Sequence, residues 1–112
     1  MSDTRRVPSA ARVARNEHLF REVNERILEL EESFGERPLA SFVCECSQVS
    51  CTSRLEASLE EYRTVRTDPR HFIVRADHVD RDHERIVRET ERFVVVEKLG
   101  LAGEIAEEED EA

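Results

Sequence analysis

The chain has few of the features that mark fibrous, membrane-spanning or secreted proteins. Its 112 residues include three glycines and three prolines, too few for a collagen-like or low-complexity chain. No apolar run approaches the roughly 20 residues that a membrane-spanning helix needs. The amino terminus also lacks the apolar segment of a secretory signal. We therefore expect a cytoplasmic protein with no membrane segment.

Sequence motifs of the common catalytic sites are also missing. The chain has no glycine-rich loop that could hold a phosphate, and no serine, histidine and aspartate in a usable arrangement. Paired C-x-x-C knuckles, which would be strong evidence for a metal site, do not occur. From these absences, catalysis is not the expected function.

The charge balance disfavours one class of partner. Acidic residues outnumber basic residues by 26 to 17, which gives a net charge of −9. Such a chain repels phosphate backbones, so nucleic-acid binding is not expected. The length suits one ordinary domain. We divide the chain into a disordered leader at 1–8, a single domain at 9–100 and an acidic tail at 101–112.

A regular apolar pattern in the first third of the chain predicts one long helix. Seven positions, here called the seam, follow one another in alternating steps of three and four: Val13, Asn16, Phe20, Val23, Ile27, Leu30 and Phe34. Gly35, directly after the last of them, is suited to end the helix. One interpretation is that this seam packs on the sheet of its own domain. The other is a two-helix dimer in which Asn16 sets the register, so self-association or a protein partner is expected along Val13–Phe34.

The remainder of the chain predicts a small sheet interrupted by one helix. Strands are predicted at Leu39–Glu45, His71–Arg75, Arg85–Arg88 and Phe93–Lys98. Ser53 and Glu56 have the spacing of a capping box, so a second helix is predicted from Ser53, and Asp68-Pro69 ends it. The predicted fold is α+β: a long amino-terminal helix, then β-α-β-β-β with a small antiparallel or mixed sheet.

Three cysteines at the end of the first predicted strand are the clearest candidate site. Cys44 and Cys46 are two residues apart and point to the same side of a strand, and a four-residue loop returns Cys51 towards them. Zinc takes four ligands in a tetrahedron, so a fourth is needed. His78, in a loop after the second strand, is the best candidate; His71, Asp77 and Glu45 are weaker ones.

The same cysteines allow other chemistry. Zinc is the favoured metal, but an iron–sulfur cluster could use these ligands too. Redox chemistry without a metal is an alternative, because Cys51 precedes a predicted helix and helix amino termini lower the pKa of a thiol. Inert, partly buried thiols are the remaining interpretation. An odd number of cysteines in a cytosolic chain argues against a structural disulfide.

Several of these residues also carry a resemblance to a known family. The run Phe42-Val43-Cys44-Glu45-Cys46, followed by Cys51, Glu61-Tyr62, Asp68-Pro69 and Phe72, resembles a family of small uncharacterised bacterial proteins with a Phe-x-Cys-x-Cys-x4-Cys signature. The resemblance covers most of the chain. It implies a bacterial protein and no established activity. The family carries Gly-His where this chain has Asp77-His78.

Taken together, these features predict a small cytoplasmic protein-interaction or regulatory module that a zinc site of the Cys3His type stabilises. The predicted ligands are Cys44, Cys46, Cys51 and His78. A metal-free, thiol-based redox sensor is the first alternative. A small zinc-dependent enzyme is the second, with Glu45 or Asp77 as its general base.

Overall fold

The computed structural model describes residues 10–35, 38–46, 48 and 50–111 of the chain, and the side chains from residue 17 to residue 108 within that part. The predicted leader, together with the side chains of Val13 and Asn16, lies outside it. The elements in chain order are helix α1 (Ala10–Phe34), strands β1 (Ala40–Val43) and β2 (Arg54–Ala57), helix α2 (Leu59–Arg66), strand β3 (His71–Val74), a single 3-10 turn (Ala76–His78), strands β4 (Glu84–Glu89) and β5 (Val94–Lys98), and helix α3 (Gly100–Glu111).

The architecture is α+β, as predicted, with two small antiparallel sheets. β1 pairs with β2, and Phe42 lies opposite Leu55. The second sheet has the order β3-β5-β4, and Phe72 lies opposite Val96. The two sheets are connected just beyond β1, where the Glu45 amide donates to the Ile73 carbonyl across 2.8 Å. That connection places the cysteine segment beside β3.

The second helix begins five residues later than predicted. Ser58 is its amino-terminal cap, and its hydroxyl and the Glu61 carboxylate form a reciprocal capping box with each other's backbone amides. The capping box predicted at Ser53 and Glu56 is wrong, because Arg54–Ala57 forms β2 instead. In this strand Leu55 and Ala57 are buried while Arg54 and Glu56 are exposed, an alternation typical of a half-buried strand.

The predicted acidic tail contains an ordered helix. α3 packs on α1, and its residues Ala102 and Ala106 are buried. An ion pair between Arg70 Nε and Glu107 Oε2, 2.8 Å apart, also connects α3 to the segment before β3. The acidic residues 104–111 therefore lie on a helix that packs on α1.

The face by which α1 packs on the domain is mixed: Ile27 and Leu28 contact the hydrophobic core, and polar residues lie beside them. Glu17, Arg21 and Asn24 are buried. The Arg21 guanidinium lies 3.7 Å above the Phe72 ring and donates to the Pro69 carbonyl at 2.9 Å. Among the seam residues, Phe20 and Ile27 are half-buried, whereas three others are exposed: Val23 by 41%, Leu30 by 53% and Phe34 by 76%.

A buried group of charges joins α1 to the second sheet. The Lys98 ammonium lies 2.6 Å from Glu17 Oε2 and also contacts Glu84 Oε1. All three residues are almost completely buried. Buried charges are tolerated only when they are paired, so these residues fix the position of α1 on β4 and β5. None of the helices within the described residues is long and apolar enough to cross a membrane.

Candidate metal centre

Backbone hydrogen bonds bring the three cysteines to one place. Cys44 continues the β1–β2 pairing, since its amide donates to the Ser53 carbonyl at 3.0 Å. Cys46 follows on the same side of the chain. A turn closed by the Cys51 amide and the Gln48 carbonyl, 2.9 Å apart, then returns the third cysteine. Cys44 and Cys46 are buried, and Cys51 is partly exposed.

The turn after β3 supplies the histidine. His78 ends the 3-10 turn, and its Nδ1 atom lies 3.5 Å from Cys44 Sγ and 3.6 Å from Cys51 Sγ. The four ligand atoms of Cys44, Cys46, Cys51 and His78 all lie within 4.8 Å of one another. The structure thus brings together the four residues that the sequence predicts as ligands, and they are positioned to bind a metal ion.

The two sulfur-to-nitrogen distances are compatible with a tetrahedral zinc site. With Zn–S bonds of about 2.3 Å and Zn–N bonds of about 2.0–2.1 Å, a regular tetrahedron has sulfur-to-nitrogen edges of about 3.6 Å. The two measured separations, 3.5 Å and 3.6 Å, fall at this value. The histidine and two of the cysteines are therefore already spaced for one common metal ion.

Two backbone amides donate hydrogen bonds to sulfur atoms of the cluster. The Arg75 amide donates to Cys44 Sγ at 3.3 Å, and the Ser53 amide donates to Cys51 Sγ at 3.5 Å. A hydrogen bond between Cys44 and Cys46 lowers the pKa of Cys46 and raises the pKa of Cys44.

The outer side of the histidine faces charged residues. Its Nε2 atom lies 3.9 Å from Asp77 Oδ1, and Asp77 also accepts hydrogen bonds from the Arg75 guanidinium at 3.1 and 3.3 Å. A carboxylate on the far side of a ligating histidine favours the tautomer whose other nitrogen is free to bind the metal. Asp77 lies outside the group of ligand atoms, and its 3.9 Å separation from His78 Nε2 is too long for a direct hydrogen bond.

The other weaker ligand candidates are also not part of the cluster. Glu45 points to the opposite side of the chain from its two cysteine neighbours, as expected from strand alternation, and its carboxylate is fully buried. His71 lies at the start of β3, where its Nε2 atom is 3.4 Å from Asp68 and 3.5 Å from Glu97 carboxylate oxygens.

Sequence reasoning missed the hydrogen bonds behind the cluster. Glu45 Oε2 accepts from the Tyr62 hydroxyl at 2.5 Å and from Asn24 Nδ2 at 2.9 Å, and Oε1 accepts from the Ile73 amide at 2.9 Å. Burial raises the pKa of Glu45, and the Arg21 guanidinium opposes that shift. The sequence does contain a signal for these hydrogen bonds, namely a glutamate between two cysteines. Strand alternation turns such a glutamate to the side opposite the cysteines.

Comparison with known proteins gives no independent assignment. No family model, curated protein or solved structure matches this chain. The functional argument therefore rests on the geometry of the four ligand residues and on the surfaces around them.

Proposed function

We propose that this protein is a zinc-stabilised protein-interaction module. The observation that carries the proposal is the convergence of Cys44, Cys46, Cys51 and His78, whose ligand atoms lie within 4.8 Å of one another. Three sulfur atoms and one imidazole nitrogen are a common ligand set of structural zinc. They come from the end of β1, the β1–β2 connection and the turn after β3.

A metal at this position would act on the stability of the fold. It would join segments that are up to 34 residues apart in sequence, and metal-binding free energy contributes directly to folding when the unfolded chain has no preformed site. The charged fraction of 38% equals the apolar fraction, so the core is modest. A domain of this size is typically stable by only about 5–15 kcal/mol, and bound zinc would be a large supplement.

The ligand set favours a structural role over the alternative of a zinc-dependent enzyme. Catalytic zinc keeps one position for water or substrate, whereas structural zinc has four protein ligands, and four are present here. The two residues considered as a general base are engaged elsewhere. Glu45 accepts three hydrogen bonds behind the cluster, and Asp77 pairs with Arg75.

The interaction part of the proposal rests on an exposed apolar stripe of α1. The stripe consists of Leu19, Val23, Leu30 and Phe34, each at least 41% exposed. Their spacing places them on one side of the helix, while the other side, with Glu17, Arg21 and Asn24, is buried. A long helix that buries its polar residues and exposes an apolar stripe is suited to packing against another protein chain.

Zinc binding is tested by native mass spectrometry on freshly purified protein. We expect one zinc ion per wild-type chain, and no zinc in Cys46→Ser or His78→Ala. His83→Ala is the matched control, because His83 pairs with Asp80 at 2.9 Å and is not among the four ligands. A wild-type chain that carries no metal and unfolds at the same temperature as Cys46→Ser would contradict the proposal.

The apolar stripe is tested by sedimentation of the zinc-loaded chain over a wide concentration range, with a second copy of the chain as the partner. We expect a concentration-dependent dimer that the double variant Val23→Glu, Leu30→Glu abolishes. Val87→Glu is the control, since Val87 is also exposed, at 37%, but lies on β4. Identical sedimentation of the wild type and the double variant at every concentration would contradict self-association through this stripe.

A further inference from the structure

We propose that Cys51 is a site of oxidation by hydroperoxides, and that its oxidation produces a Cys46–Cys51 disulfide that releases the zinc ion. This inference rests on the zinc site proposed above and adds a reactivity to it. The site would then both hold the fold together and respond to an oxidant. Three observations support it: the partial exposure of Cys51, the short distance between the Cys46 and Cys51 sulfur atoms, and the turn that connects these two residues.

The first observation is a difference in exposure within the cluster. Cys44 and Cys46 are 1% and 0% exposed, whereas Cys51 is partly exposed. A hydroperoxide must reach a sulfur atom along the axis of its O–O bond, and susceptibility to oxidation follows thiolate character and access. Of the three cysteines, Cys51 is therefore the one that an oxidant from solution can reach.

The second observation is that the resolving thiol is adjacent. The sulfur atoms of Cys46 and Cys51 lie within 4.8 Å of each other. They need to approach by less than about 3 Å to form a covalent bond of about 2.05 Å.

The third observation distinguishes Cys46 from Cys44 as the partner. Cys46 and Cys51 flank one turn, in which the Cys46 thiol donates to the Gln48 carbonyl at 3.9 Å and the Cys51 amide donates to the same carbonyl at 2.9 Å. Cys44 precedes this turn, and its hydrogen bonds go to other segments: its sulfur accepts from the Arg75 amide and its own amide donates to the Ser53 carbonyl. A disulfide within the turn leaves these bonds of Cys44 intact.

The reaction balances with a hydroperoxide as the only oxidant. The Cys51 thiolate attacks the terminal peroxide oxygen, the O–O bond breaks, and the products are a sulfenic acid on Cys51 and an alkoxide that takes a proton from water. The Cys46 thiolate then attacks the Cys51 sulfur, the S–O bond breaks, and hydroxide leaves. The two sulfur atoms lose two electrons, and the peroxide, with one water molecule as the proton donor, is reduced to an alcohol and two hydroxide ions.

Loss of the metal follows from the change in ligands. A disulfide sulfur carries no charge and is a poor zinc ligand, because a cysteine binds zinc as its thiolate. Only Cys44 and His78 remain, too few for a closed structural site. The β1–β2 connection is then no longer joined to the turn after β3 through a metal.

The experiment uses the zinc-loaded full chain and tert-butyl hydroperoxide as the probe. Released zinc is followed with a chromophoric chelator, the remaining free thiol is alkylated, and its position is identified by fragmentation mass spectrometry. We expect stoichiometric loss of zinc, alkylation at Cys44 alone, and recovery of zinc binding after reduction with dithiothreitol. Retention of zinc with Cys51 unmodified, or a disulfide that includes Cys44, would overturn the proposal.

A variant separates this proposal from the zinc proposal on which it rests. Cys51→His keeps four zinc ligands, in a Cys2His2 set that is also common in structural sites, but removes the oxidisable sulfur. We expect it to bind zinc and to lose the peroxide-driven release. If the wild type binds no zinc before oxidant is added, the zinc proposal fails; if it binds zinc and keeps it under oxidant, only the oxidation proposal fails. Disulfide mapping in the wild type remains decisive if the variant does not fold.

Discussion

The Tyr62 hydroxyl donates a hydrogen bond of 2.5 Å to the Glu45 carboxylate in the interior of the protein, directly behind the cysteine cluster. The carboxylate belongs to the residue between Cys44 and Cys46, so its hydrogen bonds fix the strand segment that presents both sulfur atoms. α2 contributes Tyr62 and α1 contributes Asn24. The arrangement of the candidate metal centre therefore depends on residues from two helices that do not contain a ligand.

The first prediction concerns this hydrogen bond. Tyr62→Phe keeps the ring, which stacks on Phe42 with centroids 4.6 Å apart, and removes only the donor. We expect a loss of about 1–3 kcal/mol in the free energy of unfolding, because a buried carboxylate then lacks one partner. Urea unfolding of the zinc-loaded protein measures it. Tyr62→Phe in a Glu45→Gln background is the control, and an equally large loss there would show that the missing Glu45 partner is not the cause.

The second prediction is a pH dependence that arises from Glu17. Burial raises the pKa of Glu17 well above its ordinary value of 4.5, and the nearby Glu84 adds to the shift, while Lys98 opposes it. Between the unfolded and the folded pKa, the folded state binds more protons than the unfolded state. The contribution of Glu17 to stability is therefore lost as the pH rises from about 4.5 through the folded pKa.

Glu17→Gln tests this dependence, because the amide cannot lose a proton at this position. We expect the stability of the wild type to fall relative to that of Glu17→Gln as the pH is raised from 5 to 8. The difference between the two proteins in urea unfolding at each pH isolates Glu17 from all other titrating groups. A difference that stays constant or changes in the opposite direction would show that Glu17 is already ionised in the folded protein at pH 5.

The third prediction concerns Lys98, the cation that Glu17 and Glu84 share. Lys98→Met leaves two buried carboxylates without a cation, and we expect a loss of about 3–5 kcal/mol in the free energy of unfolding. Replacing all three residues with apolar ones, as Lys98→Met, Glu17→Leu and Glu84→Leu, is expected to recover part of that loss. If the triple variant is less stable than the single one, the charges contribute more than the cost of burying them.

The fourth prediction concerns the docking of α3. A Cβ atom on Gly103 would lie 2.8 Å from the Lys98 carbonyl oxygen and 2.3 Å from a guanidinium nitrogen of Arg70. Helix propensity alone favours alanine over glycine by about 1 kcal/mol, but overpacking costs typically about 1–3 kcal/mol. We therefore expect Gly103→Ala to be less stable in thermal unfolding and cut more rapidly by protease within α3. Glu104→Ala, at an exposed position of α3, is expected to be neutral.

The sequence predicts the elements with strong local patterns and misses those that depend on distant partners. Two capping-box patterns lie five residues apart, at Ser53-x-x-Glu56 and Ser58-x-x-Glu61. The second pattern caps α2, because the residues between the two patterns form β2 and pair with β1. The spacing of residues in the sequence does not predict this pairing. Ala102 and Ala106 likewise lie among the acidic residues of α3. Their burial could not be predicted from the sequence, because it depends on α1 lying beside them.

The same reasoning separates what could and could not be predicted at the candidate site. Cys44, Cys46 and Cys51 are close in sequence, so their convergence follows from one strand and one turn. His78 meets them because β3 lies beside the cysteine segment, and the hydrogen bond from Glu45 to Ile73 establishes this. The burial of Glu17, Arg21 and Asn24 on α1 could not be predicted, because the residues that they contact lie far along the chain.

The burial of Lys98 also makes this side chain an intrinsic probe of how often the domain opens. Lys98 is the single lysine of the sequence and is 0% exposed, so the folded domain presents no lysine amine to acylating reagents. An amine-reactive probe can label this side chain only when α1 separates from β5. The rate at which Lys98 is acylated under native conditions would therefore measure how often the domain opens there, with no introduced label.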